Sequence, residues 1–155
     1  MSERSAAPLL GDDRHSTVLY LIKQVELAIR AQIDDAVGGY GLTALQYTSL
    51  TVLARHPGIT STQLARNSFV RIQTMAQHLA SLEERNLIRR VRDPNMKRQV
   101  LVFLSEAGLK ILQELAEPIA EIERRMLADL STTDAARLRS QLSAIRIALS
   151  GTAAH

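Results

Sequence analysis

The chain has 155 residues, 46% of them hydrophobic and 23% charged, which suits one globular domain with a core of its own. No stretch reaches the ~20 continuous apolar residues of a membrane span, and the absence of cysteine excludes disulfides, thiolate metal sites and a cysteine redox switch. The net charge of +3 is unevenly placed: nine basic residues (Arg55, Arg66, Arg71, Arg85, Arg89, Arg90, Arg92, Lys97, Arg98) against three acidic ones (Glu83, Glu84, Asp93) leave that segment at +6 and the rest of the chain at −3. This asymmetry is the footprint of a polyanion-binding lobe joined to something else.

Residues 1–15 contain no long apolar run, so they do not read as a secretory signal and are expected to form a disordered tail on a cytoplasmic protein. From 16 to 37, Val18, Leu21, Ile22, Val25, Ile29 and Ile33 recur at three- and four-residue steps, predicting a long helix that Gly38, Gly39 and Gly41 end. Thr43 with Gln46, and Thr60 with Gln63, are capping-box signals for two further helices, the second short, over 61–67. A third segment, about 71–86, places Ile72, Met75, Leu79 and Leu82 on one face. The period then changes. Leu87–Arg92 and Gln99–Leu104 are β-rich runs separated by turn residues, which predicts a hairpin. Ser105 opens another long helix, about 106–128, in which Pro118 should cause a bend or break. Ser131 caps a last helix, 132–149, with Leu138, Leu142, Ile145 and Leu149 as its buried face.

Three short helices followed by a basic hairpin describe a winged helix-turn-helix lobe over 42–104, within a mainly α fold whose only β element is the small wing. The third helix would enter the DNA major groove with Arg71, Gln73, Thr74, Gln77, His78 and Ser81 on its polar face. Thr60, Ser61 and Thr62 open the preceding helix beside the DNA backbone. Arg90, Arg92, Asn95, Lys97 and Arg98 are the wing candidates for phosphate or minor-groove contact. The amphipathic helices of 16–40 and 105–150 offer more apolar surface than one small lobe can cover, so they read as a helical dimerisation region.

The run from Leu64-Ala65 through Leu82-Glu83-Glu84-Arg85-Asn86-Leu87-Ile88-Arg89-Arg90 resembles the helix-turn-helix of the MarR family of bacterial regulators. Asp93-Pro94-Asn95-Met96-Lys97-Arg98 and Leu104-Ser105-Glu106-Ala107-Gly108 resemble that family's wing and the start of its next helix. The family pattern carries an acid where Met96 stands, an arginine at Lys97 and a glycine at Asn86. The resemblance implies a homodimer that binds a pseudo-palindromic operator in double-stranded DNA, as a repressor by family habit. It also implies a small, phenolic or aromatic effector held between the dimer helices and the winged lobe, a region that here includes His15, Tyr20, Gln46 and Tyr47.

An enzyme is not expected. The chain has no Gly-rich phosphate loop, no HExxH and no nucleophile-elbow serine; its four histidines are scattered, and adjacent acids on a helix do not converge. No cofactor or metal is expected either. The competing reading is a winged-helix module for protein–protein contact without DNA binding.

Overall fold

The computed structural model describes residues 16–96 and 98–150; His15, Lys97 and the expected tail of 1–15 lie outside the described residues. Six helices and three short strands follow in the order α1 (Val18–Gly38), α2 (Ala44–Arg55), β1 (Ile59–Thr60), α3 (Ser61–Asn67), α4 (Ile72–Glu84), β2 (Ile88–Arg92), β3 (Val100–Leu104), α5 (Glu106–Met126) and α6 (Thr132–Ser150). Side chains that satisfy orphan backbone donors set several of these starts. Thr17, Ser105 and Ser131 accept from Tyr20, Gly108 and Asp134 N–H groups. Thr43 with Gln46 and Thr60 with Gln63 form the two complete capping boxes expected from the sequence.

The wing is more than a hairpin. β3 is the central strand of a three-stranded antiparallel sheet, with β2 on one side and β1 on the other. The register Arg90↔Val102 and Arg92↔Val100 sets Ile88, Arg90 and Arg92 on one face, leaving Arg89 and Val91 on the other. The tip is held by Asn95 N–H donating to the Asp93 carboxylate at 2.8 Å and by Asp93 N–H donating to the Gln99 carbonyl at 3.0 Å.

The core lies inside the winged lobe: Leu50, Leu53, Leu64, Met75, Leu79, Leu82 and Val102 are fully buried, and Val37 and Leu115 join them from α1 and α5. Two expectations change here. Ile72, assigned by spacing to the core face of α4, is 56% exposed, because it is the first residue of the helix and lies toward the flank of the exposed Ala76 rather than in line with Met75 and Leu79. α5 runs through Pro118 without interruption; Pro118 and Glu114, whose carbonyl loses its partner there, are both exposed, so water can take over that hydrogen bond. The apolar residues of α6 are buried against nothing in the single chain, where no residue of that helix is buried.

The C-terminal end of α4 is anchored. It closes in a Schellman turn, Leu87 N–H to the Leu82 carbonyl at 3.0 Å and Asn86 N–H to the Glu83 carbonyl at 2.9 Å, with Asn86 left-handed at φ 57°. Arg85, in the same turn, donates to the carbonyls of Gly41, at 2.7 Å, and Tyr40, which ties α4 to the α1–α2 turn. On the other side of that turn the Asp34 carboxylate accepts the Ala44 N–H at 2.6 Å. Arg85→Ala should therefore cost about 1 kcal/mol, an exposed fraction of what charged hydrogen bonds can contribute, and urea unfolding would read it. A variant with the wild-type midpoint would show that the tie is idle.

Candidate nucleic-acid interface

Helical geometry sorts the polar residues of α4 into two stripes. Gln73 and Gln77, four residues apart, are exposed and oppose the buried Met75, Leu79 and Leu82. Arg71, the N-cap, is exposed beside them and makes no side-chain capping bond. Thr74, His78 and Ser81 form a half-buried flank, and the Ser81 hydroxyl accepts from the Gln46 amide at 3.4 Å. Ser81 thus faces α2. Ala76, exposed on the opposite flank, is a small residue that lets the helix approach a surface closely. Residue type alone gives no signal for it.

In α3, the Thr60 hydroxyl is engaged with Gln63, accepting its N–H at 3.2 Å and donating to its side-chain oxygen at 3.1 Å. The hydroxyls of Ser61 and Thr62, on the first turn, remain for an outside partner, and Arg66 stands exposed at the other end of the helix. The sequence reading counted Arg66 in the basic segment but did not assign it to the interface, because charge alone does not say which face an arginine takes.

The wing arginines divide by role. Arg90 donates from Nε to Glu83 Oε2 at 2.6 Å and pairs with the same carboxylate through Nη2, so it clamps the wing root to α4. Arg89 lies on the opposite sheet face with its guanidinium 4.7 Å from the centre of the Phe103 ring. Arg92 and Arg98 are exposed and make no ion pair among the described residues, and Asn95 is exposed at the tip. Of the expected interface, Thr62, Arg71, Gln73, Gln77, Arg92, Asn95 and Arg98 are exposed, as is Arg90 in its pair with Glu83.

Among the described residues, the effector candidates Tyr20, Gln46 and Tyr47 do not share one environment. Tyr20 is 53% exposed near the start of α1, about 27 Å of helix from the α1–α2 turn. Gln46 is buried; its amide oxygen accepts the Thr43 N–H at 3.1 Å while its nitrogen reaches Ser81, so both ends of the group hold α2 in place. Tyr47 is half-buried, and burial pushes its phenol above the ordinary value against an opposing pull from Arg55, so it stays protonated at neutral pH.

A model of the MarR family matches residues 40–99, the lobe that carries these features. Transcriptional regulator HosA of Escherichia coli O157:H7 is 35% identical over 94 residues, which are 60% of this chain and 69% of that one. The chain belongs to the MarR family of transcriptional regulators. Likeness to the HTH-type transcriptional repressor Rv2887 of Mycobacterium tuberculosis runs further along the chain, at 27% identity over 122 residues, 79% of this chain and 86% of that one. The fold is also that of solved winged-helix structures. The repressor CouR, bound to a 23-mer DNA duplex, aligns with a TM-score of 0.80 at 24% identity over 90% of this chain and 99% of that one. Staphylococcus aureus MepR in its DNA complex gives 0.77 at 21% identity, over 86% and 98%. Against the MarR pattern, Asn86 adopts the left-handed conformation that a glycine supplies without strain. Met96, in place of the usual acid, is 56% exposed at the wing tip.

Proposed function

We propose that this MarR-family regulator binds a pseudo-palindromic DNA operator as a homodimer, represses transcription from it, and is released by a small aromatic ligand. One observation carries the proposal: Gln73 and Gln77 stand exposed on the face of α4 opposite its buried residues, in a lobe that also exposes the cations of Arg71, Arg92 and Arg98. A carboxamide can pair with both major-groove groups of adenine, which makes this stripe suited to reading bases. The exposed arginines suit phosphates, which position without specifying. Ser61 and Thr62 would add neutral backbone contacts, and Lys97 and Asn95 would join Arg98 at the wing tip.

The dimer would be built from 16–40 and 105–150. The apolar residues left exposed on α1 and α6 supply its surface, and a two-fold axis would set the recognition helices about one or two DNA turns apart. Repression is supported by likeness to the mycobacterial repressor and to the repressor CouR, and DNA as the target by the DNA complexes of CouR and MepR. Tyr47, with a protonated phenol beside the junction of α1 and α2, is the candidate effector contact. A regulator working on DNA in this way acts in the cytoplasm of a bacterium; among the described residues no helix is long and apolar enough to cross a membrane.

Selection of bound sequences from random duplexes tests the reading directly. The wild type should enrich a two-fold symmetric site. Gln73→Ala and Gln77→Ala should each relax one position per half-site, at about 1–3 kcal/mol per lost base contact. Arg98→Ala should instead weaken all sequences alike and lower the salt slope by about one. Selected profiles identical to wild type for both glutamine variants would move the reading face elsewhere.

A further inference from the structure

Two apolar side chains stand in solvent next to the face assigned to DNA. Phe69 is 83% exposed and Ile72 is 56% exposed. Phe69 is also strained, at φ 57°. α3 ends there in a Schellman turn, with Phe69 N–H donating to the Arg66 carbonyl at 3.2 Å and Val70 N–H to the Ala65 carbonyl at 3.0 Å. The same turn closes α4 with Asn86, a residue that tolerates the left-handed region, whereas a bulky aromatic is strongly disfavoured in it. At Phe69 no burial offsets the strain. An exposed aromatic held in a costly conformation points to a contact outside the chain.

Its neighbours say what kind of contact. Ile72 is the first residue of α4, and Ala76, one turn on, is exposed along the same flank. These two run beside Gln73 and Gln77, so the apolar strip continues the polar reading stripe without a gap. The exposed cations Arg66 and Arg71 bound it. A surface that is apolar in the middle, positive at its edges and joined to a base-reading stripe fits a polyanion with apolar groups in its groove.

Resting on the DNA-binding reading above, we infer that Phe69, Ile72 and Ala76 form an apolar strip that reads thymine 5-methyl groups at one edge of each half-site. The C5-methyl of thymine is the apolar group that base pairs present in the major groove, and aliphatic or aromatic side chains are its natural partners. Ile72 and Ala76 lie against methyls inside the groove. Phe69, preceding the helix, covers the methyl nearest the backbone. Because no charge takes part, the strip adds sequence preference without adding salt dependence.

Thymine-to-deoxyuridine replacement removes the methyl and keeps the pairing. In the selected operator, single replacements at one to three positions per half-site should weaken wild-type binding about fourfold each, with the salt slope unchanged. Ile72→Ala and Phe69→Asn should each lose this discrimination at one position. Phe69→Asn should also raise the thermal unfolding midpoint by about 2 °C or more, since asparagine relieves the strain. Uracil-insensitive binding at every position overturns the inference and leaves the DNA reading standing, as do variants that discriminate like wild type or a selected half-site with no thymine at its edge. A wild type that binds no duplex overturns both.

Discussion

Replacing Leu142 and Ile145 together by aspartate should yield a monomer whose affinity for the full operator is at least about a hundredfold lower. In the single chain α6 has no buried residue, although Leu142, Ile145, Ile147 and Leu149 are 45%, 39%, 47% and 84% exposed. The first half of α1 is similarly bare, with Val18 66%, Leu19 73% and Val25 51% exposed. On the proposed dimer a second copy would cover these side chains, at about 1.5–3 kcal/mol for each large one buried. Two aspartates per protomer, repeated by symmetry, would place four carboxylates in that interface. The loss of operator binding follows from effective concentration: once one lobe is bound, the tethered second lobe engages its half-site without a fresh diffusional encounter. Affinity for an isolated half-site should stay near the wild-type value, because the winged lobe carries its own core. Light scattering and anisotropy titrations on full and half operators read both quantities. A variant that remains dimeric, or a monomer that grips the full site as tightly as wild type, would remove α6 from the interface.

Gly108→Ala should destabilise the protein by about 1–3 kcal/mol, an overpacking cost that appears as a drop of several degrees in the unfolding midpoint. A methyl at this position would stand 2.3 Å from the Leu87 carbonyl oxygen and 2.7 Å from Leu104 Cδ1. The obstacle is backbone, and it cannot swing aside: the Leu87 carbonyl accepts the Ser105 N–H at 3.0 Å, and Leu87 itself closes the Schellman turn at the end of α4. α5 would have to withdraw from the wing root. Gly38→Ala is the matching control, since its methyl meets nothing within 4 Å in the last turn of α1 and alanine favours the helix. Calorimetry should show the first variant less stable than wild type and the second at least as stable. Equal stability of all three would mean that α5 does not depend on this close approach.

Much of the fold was legible because local chemistry announced it. The pairs Thr43/Gln46 and Thr60/Gln63 mark helix starts by satisfying backbone donors, and the structure uses both as expected. Asn86 stands where the family pattern has a glycine, and it adopts the left-handed conformation a glycine would supply. β1 was invisible for a physical reason: two residues are too few to alternate, and they form a strand only because β3 lies alongside. Ile72 misled because its spacing from Met75, Leu79 and Leu82 is that of a core residue, and spacing does not say where the cover ends. Pro118 was read as a bend or break; α5 continues through it, on a side exposed enough for water to take the missing bond. On α6, a stripe buried within one chain and a stripe buried between two copies look the same.

In the interface, residue type identified the arginines but could not divide their labour. Glu83 and Arg90 come together only because the turn at Asn86 folds β2 back beside α4, and that pairing removes Arg90 from the free cations of the wing. Gln46 carried two readings, helix cap and effector contact; its hydrogen bonds to Thr43 and Ser81 serve the first.

Salt dependence is the most direct test of a paired, cationic winged dimer on duplex DNA. Purified protein titrated onto its selected duplex should bind as one dimer, and its affinity should fall about a thousandfold or more between ~50 and ~200 mM salt. A protein that binds no duplex at the lower salt, or whose binding is indifferent to salt, would contradict it.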